Sequence, residues 1–289
     1  LLSGFTVQAK DSGDEMGGYL WTFFNAEGGY EKIFFGYSED GLTWQKLNKD
    51  SGGTPMPILV NDAAGSDKGV RDPHIIRSND GTRYWILGTD LHAEGGGAGG
   101  SGWNQTSASK NIVVWESADL VNWSEPRLVY SGFDNAGCVW APEAIYDNVN
   151  DEYVVYWSIR DNSLVGTDSN ALRVYVCRTK DFTSFSEPVQ CDYRKKGVEG
   201  ELPVYAKQDE ADIFELNAEE YQRLIKKYGE IKSVSVDGLF MDVTAGSSVN
   251  LPETLNVRYS DDSVAKMGVT WDTEGTGLDF DKAAVGTYK

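Results

Sequence analysis

Histidine and cysteine are scarce in this sequence of 289 residues, which contains two of the first and three of the second. Neither a Cys-x-x-Cys pair nor a cluster of cysteine with histidine occurs, so the sequence argues against a structural zinc site. The cysteines are Cys138, Cys177 and Cys191. Because their number is odd and small, we do not expect a disulfide scaffold.

Positive charge and long apolar runs are also lacking. The net charge of −19 argues against nucleic acid and anionic membrane surfaces as partners and favours neutral ones. No run of 18 apolar residues is present, so we expect no membrane span. The sequence shows no signal peptide, but it begins at Leu1 without an initiator Met and ends at Lys289 in a strand-like run. We therefore expect a chain trimmed at both ends, in which a missing signal says little about export.

A repeat organises the first two thirds of the sequence. Two short strands rich in aromatic and aliphatic residues precede a segment that contains Asp and ends in an aromatic residue. The three copies of this segment are Ser38–Trp44, Ser117–Trp123 and Thr179–Phe185. No helical periodicity separates the strands, which predicts antiparallel strands joined by turns. We expect the closing aromatic residues to pack between neighbouring units.

The second and third copies predict four strands each. Both continue with Ser-Glu-Pro, at Ser124 and Ser186, and both are preceded by a similar strand, at Val70–Ile75 and Val139–Ile145. Four-stranded units that recur roughly every 60 to 80 residues are typical of β-propeller blades.

Asp72 and Glu143 stand out because of their place in this repeat. Asp72 precedes Pro73, and Glu143 follows Pro142. Proline is tolerated at the start of a strand, where no backbone N–H is needed. An Asp before Pro is by itself most often a surface residue. In a propeller, however, the first strand of each blade lines the central channel, so both carboxylates are predicted to face one cavity.

The remaining segments differ from the repeat. The glycine-rich stretch 95–102 lacks the Gly-Lys-Ser/Thr ending of a phosphate loop and predicts a long rim loop that carries Trp103, which either stacks on a sugar or packs internally. Residues 191–232 are interpreted as a linker with one helix at 217–229, where Asn217 and Glu220 form a capping box. Residues 233–289 have alternating valines and predict a small β-sandwich.

These motifs resemble known families. Arg71-Asp72-Pro73-His74-Ile75, Trp140-Ala141-Pro142-Glu143 and the blade endings WESADLVNWSEP and CRTKDFTSFSEP resemble glycoside hydrolase family 43 over about residues 17–190. That family consists of five-bladed β-propellers that act on arabinose- and xylose-containing polysaccharides. Residues 233–289, with AGSSVNLPETLNVRYSDDSVAKMGVTWD, resemble a bacterial Ig-like domain of the kind that accompanies secreted or surface-attached bacterial enzymes.

The resemblance implies roles for several residues. Family 43 enzymes invert the anomeric centre, with an acid and a base about 6.5–9.5 Å apart. Asp72 matches the general base, Glu143 matches a carboxylate near the sugar, and Glu199, in Glu199-Gly200, is a candidate general acid. A further Asp that the family uses to tune the acid has no match. The candidate substrate-binding residues are Arg71, His74, Asp90, Trp103 and Trp140. No cofactor is expected, and calcium in the channel is left open.

The sequence thus predicts an all-β protein with three parts. Residues 1–190 form a partial β-propeller, with about three blades visible of an expected five, residues 191–232 a helical linker, and residues 233–289 an Ig-like β-sandwich. The favoured function is an extracellular or cell-surface glycosidase of the arabinofuranosidase or xylosidase type, acting on arabinan, arabinoxylan or xylan. An inactive fragment that lacks the general-acid blade, a non-catalytic carbohydrate-binding protein and a surface spacer are the alternatives.

Overall fold

The structure is a computed structural model, and it describes residues 16–26, 29–93, 102–164, 172–191, 211–229, 233–236, 251–259 and 264–269. Two compact units divide the chain, residues 1–229 and 230–289. The described ranges contain fifteen β-strands and one α-helix. The all-β class predicted from the sequence is therefore confirmed.

Two consecutive stretches of the first unit form four-stranded antiparallel sheets in which chain order equals strand order. Blade 2 consists of β4 (Val70–Arg77), β5 (Tyr84–Asp90), β6 (Asn111–Ser117) and β7 (Arg127–Tyr130). Blade 3 consists of β8 (Ala136–Asp147), β9 (Glu152–Asp161), β10 (Leu172–Thr179) and β11 (Val189–Gln190), with a 3-10 helix at Asn162–Leu164 after β9. These sheets confirm the four-stranded blades predicted from copies two and three.

Blade 1 is completed by a strand from far along the chain. The first copy supplies β1 (Met16–Asn25), β2 (Lys32–Ser38) and β3 (Gln45–Lys46), and β12 (Ala211–Asn217) pairs with β1 as the innermost strand. The register places Ile213 opposite Trp21. The predicted linker is thus wrong for residues 211–229, because this segment hydrogen-bonds into the first sheet and belongs to the first compact unit.

The core lies between the blades. Strands of β-branched and aromatic residues bury one face against the neighbouring sheet. One cluster joins blades 2 and 3 through residues such as Trp85, Val155 and Trp157. Another joins blades 1 and 2 through residues such as Leu20, Phe35 and Ile86. Each sheet is thereby fixed face to face with the next one.

The aromatic residues that close the repeat follow the prediction only in part. Trp123 of blade 2 contacts Phe35 of blade 1, with ring centroids 6.3 Å apart, as expected. Phe185 packs against the cluster between blades 2 and 3. Trp44 instead contacts Trp21 of its own blade at 5.9 Å, so the prediction of packing between blades is wrong for that residue.

The Asp of each repeat stabilises a turn. Asp40 accepts hydrogen bonds from the backbone N–H groups of Leu42 and Thr43, at 2.8 and 2.7 Å, as expected of an Asx turn. The N–H of Thr43 is the main reason that the pKa of Asp40 falls to about 2. Asp119 and Asp181 occupy the same position in the other two blades. The repeat therefore reflects a recurrent turn rather than a binding motif.

The helix α1 (Ala218–Tyr228) follows β12 directly. Asn217 caps it through a reciprocal capping box with Glu220, as predicted. The apolar stripe, which includes the buried Leu224, packs on the core between blades 1 and 2. Arg77 of β4 reaches the buried Glu220 with its Nε at 2.7 Å. The helix thus anchors the closing strand to blade 2.

The second unit is described only in part. It contains β13 (Ser233–Val236), β14 (Thr254–Tyr259) and β15 (Val264–Gly268). These strands form an antiparallel sheet in the order β13-β14-β15. In β14, Val257 is buried. The turns predicted near residues 237, 246 and 261 lie outside the described residues.

Candidate active site

A cavity of about 180 Å³ opens where the inner strands of the three blades meet. Its lining comes from β4, β8, β9 and β12. The lining residues are Asp72, Pro73, His74, Ala141, Pro142, Glu143, Ala144, Ile145, Tyr156 and Asp212. The structure therefore brings Asp72, His74 and Glu143 together, and it adds Asp212.

Three of these side chains occupy equivalent positions in their blades. In each blade the second strand carries a Tyr opposite the Ser or Thr that begins the Asp turn. The residue three positions after this Tyr faces the inner strand, where its partner is Asp212 in blade 1, His74 in blade 2 and Glu143 in blade 3. The blade repeat itself thus places a charged or titratable group in the cavity from each sheet.

Asp72 lies in a bulge that the repeat also explains. The pairing of β4 with β5 is interrupted between Arg71 and His74, and Asp72 has a φ of 50°. The corresponding bulge in β8 gives Ala141 a φ of 52°. Residues other than Gly rarely adopt this left-handed conformation, and such strained positions cluster at functional sites. A proline follows this residue in both bulges, and proline has no backbone N–H to donate to the neighbouring strand.

Thr89 connects the two bulges. Its hydroxyl donates to Oδ2 of Asp72 at 2.8 Å and accepts a hydrogen bond from the backbone N–H of Ala141, also at 2.8 Å. Thr89 is fully buried, so its side chain has little freedom to reorient. The orientation of the Asp72 carboxylate is thereby coupled to the position of blade 3.

Glu143 on β8 lines the same cavity. It is buried, and the hydroxyl of Tyr156 on β9 donates a hydrogen bond to its Oε2. The residue is therefore held in a fixed position as a hydrogen-bond acceptor.

His74 lies between blades 1 and 3. Its Nδ1 is 3.1 Å from Oδ2 of Asp212, and its Nε2 is 3.0 Å from the carbonyl oxygen of Ala144. Oδ2 of Asp212 also accepts the backbone N–H of Ile75 at 3.0 Å. His74 is therefore fully engaged with neighbouring strands, whereas the sequence had predicted contact with substrate.

Arg71, Trp103 and Trp140 gather beside the cavity without lining it. Arg71 is buried, forms an ion pair with Glu31 at 3.1 Å, and lies 4.4 and 4.5 Å from the ring centroids of Phe24 and Trp103. Trp103 contacts Trp140 edge to face at 6.1 Å and is 56% exposed. Trp103 thus packs internally and also presents surface to solvent, and its stacking on a sugar stays a prediction.

Asp90 is placed differently from what we predicted. It is 1% exposed, and its Oδ1 accepts hydrogen bonds from Asn61 Nδ2 and Asp67 N, each at 2.8 Å. Burial raises the pKa of its carboxyl group. The interpretation of Asp90 as a substrate contact is therefore wrong in this structure, since the side chain anchors a loop below the surface. Glu199 lies outside the described residues.

Asp212 is the cavity residue that the sequence reasoning missed. It sits in a polar stretch without a repeat signature, and its strand pairs with β1 about 190 residues earlier in the chain. One signal could have found it. Copies two and three have four strands, whereas copy one supplies only three, so a propeller sheet needs an inner strand from elsewhere.

Metal-binding and membrane-spanning features are not evident in the described ranges. No group of three or more His, Cys, Asp and Glu side chains there is arranged to hold a metal ion. No helix in the described part of the chain is long and apolar enough to cross a bilayer.

Four-stranded sheets joined face to face around a central cavity are typical of β-propeller proteins. The chain belongs to the glycosyl hydrolase 43-related family, whose model, described as "Probable glycosyl hydrolase domain", matches residues 14–232. A second model, "Bacterial Ig-like domain (group 4)", matches residues 241–289. The predicted family and the predicted Ig-like domain are both confirmed.

One similar protein is an alpha-L-arabinofuranosidase of Bifidobacterium longum subsp. longum, 32% identical over 185 residues. The match covers 58% of this chain and 16% of the relative, so the chain spans about a sixth of that protein. Two solved structures are also similar. An N-acetylgalactosamine deacetylase from F. plautii has 16% identity, coverage of 59% of this chain and 47% of that one, and a TM-score of 0.41. An exo-beta-1,3-galactanase from Phanerochaete chrysosporium has 17% identity, coverage of 50% and 28%, and a TM-score of 0.30. Similarity at this level is too weak to inform substrate or mechanism.

Proposed function

We propose that the first unit is the catalytic domain of an inverting glycosidase that acts on arabinose- or xylose-containing polysaccharides outside the cell. The observation that carries this proposal is the Asp72 carboxylate, which is fixed by the buried Thr89 in the cavity that it shares with Glu143. The family match and the arabinofuranosidase relative support the substrate class. The Ig-like domain supports an extracellular or surface location.

In the proposed mechanism Asp72 is the general base. It removes a proton from water as the water oxygen attacks the anomeric carbon, and the glycosidic bond breaks on the other face of the sugar. A general acid protonates the leaving oxygen. In each turnover Asp72 therefore gains one proton from water and the acid gives one proton to the leaving group. Glu199 is our candidate for the acid. Glu143, oriented by Tyr156, is proposed to bind the sugar close to the reacting carbon.

The size of the cavity suits a small ligand. Its volume of about 180 Å³ is below the roughly 300–1,000 Å³ of typical ligand pockets. It corresponds to about six water molecules at about 30 Å³ each. We therefore propose that a single terminal sugar unit enters, which favours removal of end groups over cleavage inside a polymer chain.

Turnover of 4-nitrophenyl α-L-arabinofuranoside and 4-nitrophenyl β-D-xyloside tests the proposal. We expect release of nitrophenol by the wild-type chain and loss of at least about 100-fold in Asp72→Asn. Asp119→Asn is the matched control, because Asp119 lies in a surface turn of the same blade. Equal rates for Asp72→Asn and the wild-type chain would refute the role of Asp72.

A non-catalytic sugar-binding protein is the second candidate. One observation favours it: the carboxylates that line the cavity are Asp72, Glu143 and Asp212, and each of them is engaged with a neighbouring side chain. Binding of arabino- or xylo-oligosaccharides measured by calorimetry, together with no turnover of either aryl glycoside, would identify this function.

A further inference from the structure

We propose that Asp212 is a positioning residue of this site and that it holds His74 as a doubly protonated imidazolium. The pair would then fix the relative positions of Asp72 and Glu143. The protonation of His74 is independent of the proposed function, whereas the effect of the pair on a reacting sugar rests on it.

The hydrogen-bond partners of His74 assign its protons. The carbonyl oxygen of Ala144, 3.0 Å from Nε2, can only accept, so Nε2 carries a proton. Oδ2 of Asp212, 3.1 Å from Nδ1, accepts the backbone N–H of Ile75 as well. In the proposed arrangement Asp212 is ionised and only accepts, which places a second proton on Nδ1. The competing arrangement has the proton on Asp212 and a neutral ring.

The charges around the cavity favour the cationic ring. Asp212 on β12, Asp72 on β4 and Glu143 on β8 are the carboxylates of the lining, and Tyr156 on β9 is its phenol. His74 is the lone basic side chain among the lining residues. An opposite charge in direct contact, here the carboxylate of Asp212, favours the charged form of the ring.

The same contacts connect three separate sheets. The blades are separate sheets, and His74 joins β4 to Asp212 on β12 and to Ala144 on β8. Asp72 is two residues before His74, and Glu143 directly precedes Ala144. The imidazolium therefore ties the backbone of the proposed base to that of Glu143, beside the space that a sugar would occupy.

Nuclear magnetic resonance of the imidazole nitrogens tests the protonation directly, because the chain contains only two histidines. His74→Asn removes one of the two ring signals and so assigns the other to His92. At pH 7 we expect both nitrogens of His74 to be protonated in the wild-type chain and only one in Asp212→Asn. Glu215→Gln, which removes an exposed carboxylate from the same strand, should leave the His74 signals unchanged.

A neutral His74 ring in the wild-type chain at pH 7 would overturn the proposal, even if Asp212→Asn failed to fold. A ring that stays doubly protonated in folded Asp212→Asn would overturn the role of Asp212. Circular dichroism identifies whether each variant is folded.

Kinetics test the positioning role. With 4-nitrophenyl α-L-arabinofuranoside as the probe, we expect Asp212→Asn to lower kcat by about 100-fold with little change in KM, the loss typical of a misplaced catalytic group. A kcat equal to that of the wild-type chain would refute positioning. If the wild-type chain neither hydrolyses nor binds sugar, the proposed function and the positioning role both fail, and the nitrogen signals still decide whether the ion pair exists.

Discussion

Truncating Glu220 to alanine is expected to destabilise the first unit by about 3–5 kcal/mol, because three sets of contacts depend on this carboxylate. Glu220 is 1% exposed. It accepts hydrogen bonds from Arg77 Nε at 2.7 Å, from the hydroxyl of Tyr84 at 2.7 Å and from the backbone N–H of Asn217 at 2.8 Å. These contacts hold α1, and with it the closing strand β12, on blade 2.

The magnitude follows from what each partner loses. The buried hydroxyl of Tyr84 would be left without its acceptor, at a cost of about 1–3 kcal/mol. Burial and Glu220 together raise the pKa of Tyr84 to about 12, so the phenol remains a donor at neutral pH. Loss of the capping box costs about 1 kcal/mol. Arg77 is 32% exposed, so water replaces part of its contact and its share is about 0.5–1 kcal/mol.

Urea and thermal unfolding of the full chain measure this effect. For a unit of this size, 3–5 kcal/mol corresponds to a fall in Tm of about 10 °C. Glu219→Ala is the matched control, because Glu219 lies on the same helix, is 69% exposed and is 3.9 Å from its ion-pair partner Arg223. We expect it to change stability by less than about 0.5 kcal/mol. If the free energy of unfolding fell by the same amount in both variants, within about 1 kcal/mol, the proposed role of Glu220 in holding α1 on blade 2 would be wrong.

Three further predictions concern single side chains. Thr89→Val should lower the free energy of unfolding by about 1–3 kcal/mol, because the Asp72 carboxylate and the Ala141 N–H lose their shared partner, and Thr89→Ser should restore most of it in urea titrations. Burial raises the pKa of Asp90, so its contribution to stability is greatest at low pH and declines as pH rises through the folded-state pKa. The stability of Asp90→Asn should therefore fall less between pH 4 and pH 7 than that of the wild-type chain. An equal fall in both would contradict this prediction. The pKa of Asp40 is lowered to about 2, so its contribution to stability is present above about pH 4 and lost as pH falls towards 2. In Asp40→Asn the free energy of unfolding should therefore change less with pH in that window. The same pH dependence in the variant and the wild-type chain would show that the turn has no such role.

The blades were predictable because their signals are local. Alternating β-branched and aromatic residues define β5, β6, β9 and β10, and turns separate them. The paired motifs at Asp72-Pro73 and Ala141-Pro142 marked the inner strands, and the structure places both in equivalent bulges. The helix α1 was predictable for the same reason, since its capping box and apolar stripe lie within one short segment.

The parts that could not be predicted depend on distant pairing. Residues 211–217 match neither the blade repeat nor a strict alternation of apolar and polar residues, and their status as a strand comes from hydrogen bonds to β1. Asp90 was named as a candidate substrate-binding residue, but its burial depends on Asn61 and on the backbone of Asp67 in a separate loop. No local pattern carries that information.

Two exposed isoleucines on the inner strands β12 and β8 mark surfaces that the described residues leave uncovered. Strand residues alternate between the two faces of a sheet. On β12, Asp212 contacts blade 2, so Ile213 next to it faces away from blade 2 and is 60% exposed. On β8, Ala144 packs towards blade 2, and Ile145 next to it is 57% exposed. Burying an isoleucine contributes about 1.5–3 kcal/mol, and these two lie beside the cavity carboxylates. Inner strands of a complete propeller are covered on both faces by neighbouring blades, so the expected five-bladed ring predicts that further chain covers both positions.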